Sequence, residues 1–213
     1  MRQLDDARMT PRTERKRQAI LSAARERFLE TGYADTSMDA VASAAGVSKQ
    51  TIYKQFADKE RLFAAVLTAD IEQAEGRTST LVAGLADADD VTAALHTFAR
   101  QHIIEVLQPH LLRWRRVVIA EADRFPELAR TWYETGPAKA HATLADQFSL
   151  LADRGLLRVP DPQLAAAQFN WLVLSIPLNE AMFGLALPSR SRLRRYADEA
   201  VRVFLAAYGA GAR

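Results

Sequence analysis

Residues 36–60 constrain the fold of this chain more than any other segment, because two short helical patterns flank a glycine there. Apolar side chains stand at positions 38, 41, 42 and 45, the spacing at which residues share one face of a helix. Gly46 follows, where helices commonly end in a left-handed residue, and Ser48 stands at a favourable N-cap position for a second helix. The segment therefore predicts a helix-turn-helix.

The second of these helices is predicted to present a polar surface to the outside. Ile52 and Phe56 can face inward with Val47, which leaves amide, hydroxyl, phenol and ammonium groups on the other side. Such groups match the donors, acceptors and phosphates of a DNA groove. Asp58 is expected to cap the next helix, and Lys59 in its first turn could bind a phosphate together with free backbone N–H groups. The alternative is that Lys59 is simply solvated.

These local patterns resemble the DNA-binding domain of the TetR family of bacterial transcriptional regulators, from about residue 13 to residue 66. The similarity is specific because the motif contains many fixed spacings. The residues that carry it are Arg15–Ala24, Phe28, Thr31–Tyr33, Ala45–Ser48, Thr51–Tyr53, Phe56 and Lys59–Leu62. Further along the chain, residues 124–128 and 161–166 resemble one common type of TetR ligand-binding domain, the AefR-like type.

The resemblance implies a set of DNA-binding residues in and around the second helix. Contacts at or near the base edges are implied for Lys49, Gln50 and Thr51. The Gln50 amide could bind an adenine edge through two hydrogen bonds, or it could be solvated. Contacts with phosphate are implied for Ser37, Tyr53, Lys54 and Lys59. Ser48 completes the predicted DNA-binding set.

The chain carries a formal net charge of only +2, so any affinity for DNA has to come from a local cluster of positive charge. Arg8, Arg12, Arg15, Lys16 and Arg17 supply such a cluster next to the predicted helix-turn-helix. In that place they are expected to contact the DNA backbone. By themselves they would fit the solvated start of a helix equally well.

The sequence gives no sign of secretion or of a membrane span. It contains no cysteine, which excludes disulfides and thiolate metal sites and fits a reducing compartment. No charged and then apolar signal sequence opens the chain. Its most apolar stretch, residues 164–178, is too short and too polar to cross a membrane. We therefore expect a cytoplasmic protein without a membrane partner.

Helical periodicity runs through almost the whole chain, and no convincing strand pattern interrupts it. We predict an all-α fold of about nine helices. A three-helix, N-terminal helix-turn-helix DNA-binding domain would occupy residues 1–58, and a larger helical ligand-binding and dimerisation domain would occupy residues 59–213. A long helix from Lys59 to near Gly84 would connect them, and a break or kink is expected at Gly136–Pro137.

The segment from Asp161 to Phe183 is apolar on nearly every side, so a helix formed by it has to be covered all round. Because a monomer of this size offers one core, the second apolar side suggests a partner subunit. We expect a homodimer through this helix and the last one, with two recognition helices on one side of double-stranded DNA and an inverted-repeat operator. The alternative is that the segment is buried entirely within one chain.

Aromatic and bulky side chains accumulate in the C-terminal region together with a few polar ones, as is usual for a small-molecule site. Taken singly, each aromatic residue also fits ordinary core packing, so the ligand site rests on the family resemblance. The candidate ligand-binding residues are Phe98, His102, Trp114, Trp132, His141, Phe169, Trp171 and Met182. We expect an apolar or amphipathic effector, and the resemblance implies a repressor that this effector releases from DNA.

Other classes of function have less support in the sequence. His102 and Glu105 share a helix face and His110 follows nearby, so these three could hold a metal and make a metal-responsive regulator. A second Glu-x-x-His pair, a glycine-rich phosphate loop and a nucleophile elbow are all missing. We therefore expect neither an enzyme nor a resident cofactor or metal. An effector-independent DNA-binding protein, without a cavity or a preferred sequence, remains an alternative.

Overall fold

The computed structural model describes residues 11–82 and 84–211, and for residues 11 and 71–81 it describes the backbone alone. Regular structure in these ranges is helical. The helices are α1 (Pro11–Asp35), α2 (Met38–Ala44), α3 (Lys49–Phe56), α4 (Lys59–Val82), α5 (Val91–Val106), α6 (Pro109–Ala120), α7 (Pro126–Tyr133), α8 (Lys139–Asp153), α9 (Pro162–Met182) and α10 (Arg190–Tyr208). Arg8 of the predicted basic cluster lies outside the described residues.

A π-helical turn joins α7 to α8, so the two form one continuous helical segment. The turn covers Glu134–Ala138 and contains Pro137, at the position where the sequence predicts a break or kink. Proline has no backbone N–H to donate, and a π turn is one way to accommodate that missing hydrogen bond. With this segment counted as one helix, the described residues contain nine helices and one isolated bridge between Leu157 and Gly209. The all-α prediction is confirmed.

Residues Met1–Asp70 form one compact unit. Ile20, Ala24 and Phe28 of α1 are completely buried, as expected for residues that share one face of a helix. The Phe63 ring of α4 packs edge-on against the rings of Phe28 and Tyr33, with 5.0 Å between centroids in each pair. These aromatic contacts attach the first turns of α4 to α1.

The division between the two compact units falls after Asp70, inside α4. The side chains of Leu62, Phe63, Val66 and Leu67 at the beginning of α4 are all buried. The domain boundary expected at residues 58–59 lies at the start of this helix. The boundary between the two compact units lies about three helical turns later. The physical reason is that the first turns of α4 supply core residues.

Residues Ile71–Arg213 form the second compact unit. Its core is an aromatic cluster in which the Phe169 ring lies 5.8 Å from Phe98, 5.7 Å from Phe148 and 5.0 Å from Phe204, measured between centroids. These rings come from α5, α8, α9 and α10, so the cluster holds four helices together. In the part of the chain that the structure describes, no helix has the length and apolar character needed to span a membrane.

Candidate nucleic-acid interface and ligand site

Two serine caps and a left-handed glycine build the connection between α2 and α3. Ser37 Oγ accepts a hydrogen bond from the backbone N–H of Ala40 at 3.1 Å, and Ser48 Oγ accepts one from that of Thr51 at 3.2 Å. Gly46 adopts a φ of 64°, which strains a residue that carries a side chain. The helix-turn-helix expected from the sequence is present, and the Ser48 cap fixes where α3 begins.

The third helix, α3, turns its apolar side chains inward and its polar ones outward. Ile52 and Phe56 are buried in the first compact unit. The Thr51 side chain is half-buried, and its hydroxyl lies 2.8 Å from Ser48 Oγ within the cap. The exposed side chains of α3 are Lys49, Gln50, Tyr53 and Lys54. Gln50, Tyr53 and Lys54 are thus available to an external partner, and Lys49 is exposed but pairs with Asp39.

An acidic side chain of α2 neutralises the first cation of α3. Lys49 Nζ lies 2.5 Å from Asp39 Oδ2, and both side chains are exposed. The hydrogen bond to Asp39, and then the charge of that carboxylate, raise the pKa of Lys49. In this conformation the ammonium group is shared with Asp39, so a base or phosphate contact from Lys49 would compete with an internal ion pair.

Replacing Asp39 with asparagine is expected to strengthen DNA binding, because it removes this competitor. The slope of log K against log salt concentration should become steeper by about one, the value for one additional phosphate neutralised. Fluorescence anisotropy with a labelled random-sequence duplex at several salt concentrations measures this slope. Glu60→Gln removes an exposed acid from the start of α4 and serves as the control. An unchanged slope in D39N would show that Lys49 does not contact the DNA backbone.

The ammonium group of Lys59 is used inside the protein. Its Nζ donates to the backbone carbonyls of Tyr33 at 2.8 Å, Ala34 at 3.1 Å and Thr36 at 2.9 Å. It also lies 4.4 Å from the centroid of the Tyr33 ring. An ammonium group has three N–H donors, and these carbonyls take all three. In this structure Lys59 satisfies carbonyls at and just after the end of α1, and its contact with a DNA phosphate stays a prediction.

We expect Lys59→Met to destabilise the first compact unit by about 2 kcal/mol, because three carbonyls lose a charged donor. The free energy of unfolding from urea titration measures this loss. Lys54→Met, an exposed lysine of α3, should change it by less than about 0.5 kcal/mol. If instead K59M left the stability unchanged and reduced the salt dependence of DNA binding, Lys59 would act mainly through a DNA phosphate.

Three of the predicted ligand-binding residues stack on one another in the second unit. The His102 ring lies 5.3 Å from that of Phe98, and the Phe98 ring lies 5.8 Å from that of Phe169, both in parallel arrangements. Trp114 is buried as well, whereas Trp132, His141 and Met182 are half-buried. The guanidinium of Arg115 lies over the Trp132 ring at 5.3 Å.

The structure separates Trp171 from this group. Trp171 keeps 52% of its surface exposed, whereas Phe169, two residues earlier on α9, is completely buried. A helix rotates by about 200° over two residues, so the two rings lie on opposite sides of α9. Trp171 therefore does not share the environment of Phe169, and its contact with a ligand stays a prediction.

Asn170 is a candidate that the predicted ligand set omits. Its Oδ1 lies 2.9 Å from His102 Nε2, and its side chain lies close enough to His141 to interact with that imidazole electrostatically. The helix that carries it is otherwise strongly apolar, and a polar residue there needs a partner. A polar residue in an apolar helix was therefore the signal in the sequence for Asn170. The sequence does not show that histidines are its partners.

The metal-binding alternative gains no support from the structure. Among the described residues, no group of three or more His, Cys, Asp or Glu side chains is arranged to hold a metal ion. The His102 ring is instead paired with the Asn170 amide.

Both histidines of this group favour the uncharged form. Burial lowers the pKa of His102 below its ordinary value, against the opposing effect of the hydrogen bond to Asn170. Burial likewise lowers the pKa of His141. The unfolded chain therefore binds more protons than the folded protein does as the pH falls below about 6.5.

This difference predicts that the contribution of the uncharged histidines to the free energy of unfolding is fully present above pH 6.5. That contribution is lost progressively as the pH falls below this value. His102→Gln, which keeps a hydrogen-bonding side chain but cannot be protonated there, should flatten the pH dependence by up to about 1.4 kcal/mol per pH unit between pH 6.5 and 5. Urea titrations across this range measure it. His96→Gln, at a half-buried site beside Asp198, is the control. Parallel curves for wild type and H102Q would show that His102 titrates normally.

A family model described as "Bacterial regulatory proteins, tetR family" matches residues 20–66. A second model, described as "AefR-like transcriptional repressor, C-terminal domain", matches residues 93–210, which is more than half of the chain.

Solved structures match over nearly the full length. A TetR-family transcriptional regulator from Mesorhizobium loti is 41% identical, with 93% of this chain and 98% of that chain covered and a TM-score of 0.87. The flavonoid-responsive regulator FrrA is 34% identical, with 92% and 98% covered and a TM-score of 0.75. The transcriptional activator FasR of Mycolicibacterium smegmatis is 44% identical over 62 residues, 29% of this chain and only 28% of that protein.

Proposed function

Because this chain belongs to the TetR family of bacterial transcriptional regulators, with an AefR-like C-terminal domain, we propose that it is a repressor released from an inverted-repeat operator by a small aromatic effector. The observation that carries the DNA-binding part is the outer surface of α3, where Gln50, Tyr53 and Lys54 are exposed while Ile52 and Phe56 anchor the helix. Placed in a major groove, such a surface can reach base edges and phosphates.

A homodimer through α9 and α10 is supported by apolar side chains that the single chain leaves uncovered. Leu164 and Trp171, two turns apart on one face of α9, are 51% and 52% exposed. Ile176 of the same helix and Val203 of α10 are exposed as well. A second copy related by two-fold symmetry would cover these side chains and would place two α3 helices for the two halves of an inverted repeat.

The sign of regulation and the effector class are proposed by analogy with two relatives. The family model that matches the C-terminal domain is described as a repressor domain. The regulator FrrA, which is similar over nearly the whole chain, is described as flavonoid-responsive. Flavonoids are aromatic, and the aromatic cluster around Phe98 and Phe169 suits a ligand of that kind. Such a regulator would act in the cytoplasm, where the chromosome is accessible.

Release from DNA is then a linkage between two sites. An effector that binds better to the conformation with low DNA affinity shifts the population towards that conformation, and bound DNA must weaken effector binding by the same factor. The α4 helix, which begins at Lys59 and ends at Val82, connects the two compact units covalently.

A mobility-shift titration with the DNA that flanks the gene for this chain tests the proposal, since such regulators often control neighbouring genes. We expect saturable retardation of one flanking fragment that survives an excess of unrelated DNA. Retardation that unrelated DNA abolishes would instead indicate a binder held by phosphates alone.

A further inference from the structure

Polar side chains are rare inside the second compact unit. Among its described residues, His102 of α5 and Asn170 of α9 are the buried polar ones. They are paired with each other, with 2.9 Å between His102 Nε2 and Asn170 Oδ1. His141 of α8 lies close enough to both side chains to influence them electrostatically. Three helices thus bring two imidazoles and one amide together, and we refer to these three residues as the polar cluster.

Stability alone does not explain the polar cluster. A buried hydrogen-bonded pair can often be replaced by apolar side chains of similar shape with little change in stability. The cluster lies beside Phe98 and Phe169, so apolar packing would be the simpler way to fill this part of the core. Polar groups in such surroundings indicate a role in binding a ligand.

The polar cluster extends from the core towards the surface. His102 is 9% exposed and Asn170 is 7% exposed, whereas the Phe148 and Phe169 rings are completely buried. His141 is half-buried, so the polar cluster has an outer end. A few polar groups within apolar surroundings are what a small ligand with one polar group requires.

The chemistry of the polar cluster selects the kind of polar group. Burial keeps both imidazoles uncharged near neutral pH by lowering the pKa of His102 and of His141. A neutral imidazole and an amide each donate and accept hydrogen bonds, as a hydroxyl does. A carboxylate would need a buried positive charge to compensate it. The Phe98 ring, stacked on His102, adds a flat apolar surface for an aromatic ring.

We propose that His102, Asn170 and His141 form the polar subsite of the effector site and bind the uncharged hydroxyl group of an aromatic, phenol-like effector. The identification of this ligand as the effector rests on the proposed function. The π-helical turn Glu134–Ala138 leads directly into the helix that carries His141, and such turns are frequent at functional sites.

Three probes of the same size and different polar groups test the subsite: 2-naphthol, naphthalene and 2-naphthoate. Each is titrated calorimetrically into the full chain at pH 7.5 without DNA. We expect 2-naphthol to bind about tenfold more tightly than naphthalene, the effect of one or two neutral hydrogen bonds, and more tightly than 2-naphthoate. Equal affinity for naphthol and naphthalene, preference for the naphthoate, or no binding of any probe would overturn the proposal.

Two variants assign the preference to the polar cluster. His141→Phe and Asn170→Leu should bring the affinity for 2-naphthol down to that for naphthalene, while naphthalene still binds and so shows that the variant is folded. His96→Gln, a histidine paired with Asp198 outside the polar cluster, should keep the tenfold preference. A preference that survives in H141F and N170L would overturn the subsite. Because no DNA is present, failure here would leave the DNA-binding proposal to be judged by its own experiment.

Discussion

Replacing Phe169 with alanine is expected to lower the free energy of unfolding of the second compact unit by about 3–5 kcal/mol. The Phe169 ring is completely buried and lies within 5.0–5.8 Å of the Phe98, Phe148 and Phe204 rings, so its removal leaves a cavity between four helices. The loss combines the transfer free energy of the ring and the cost of the cavity. Urea or guanidinium titration followed by far-UV circular dichroism measures it.

Phe183→Ala is the matched control, because it deletes the same ring from a site 82% exposed at the end of α9. At protein concentrations where the chain is monomeric, this variant should change stability by less than about 0.5 kcal/mol. A cost below about 1 kcal/mol for F169A would contradict the position of Phe169 at the centre of the core.

The combined variant Gln50→Ala, Tyr53→Ala and Lys54→Ala is expected to reduce affinity for specific DNA by at least about 100-fold. Each good base contact contributes about 1–3 kcal/mol to discrimination, and the lysine adds a phosphate contact. The fold should be unaffected, because the three side chains are exposed and alanine is the best helix former. Fluorescence anisotropy with a duplex that the wild-type chain retards measures the loss.

Arg194→Ala combined with Arg195→Ala controls for general attraction to the DNA charge. These exposed arginines lie on α10, and the pair removes more positive charge than the α3 variant does. We expect specific affinity to fall by no more than a few-fold. If both variants weakened binding equally, α3 would not be the recognition helix.

The features that the sequence predicted well depend on neighbouring residues. The expected helix from Asp161 to Phe183 is α9 (Pro162–Met182), with Asp161 Oδ1 accepting from the Leu164 N–H at 3.0 Å as its N-cap. The Ser48 cap and the Gly46 turn are equally local, because a cap and a left-handed glycine act within three residues.

The features that the sequence missed depend on contacts between distant residues. Lys59 donates to carbonyls 23–26 positions earlier in the chain, and no local spacing reveals that partner. The pairing of His102 with Asn170 spans 68 positions. The two-residue spacing already separates Trp171 from Phe169 around α9, and only the packing of α9 against other helices shows that Phe169 is buried and Trp171 exposed.

Sequence-specific recognition by paired α3 helices is the central claim, and selection of bound duplexes from a random DNA pool at near-physiological salt, followed by sequencing, tests it most directly. We predict enrichment of an inverted repeat whose half-sites are separated by about one helical turn or a multiple of it. Enrichment should disappear when the selection is repeated with the α3 variant. A pool that stays random with the wild-type chain, or an enriched motif without two-fold symmetry, would contradict the account.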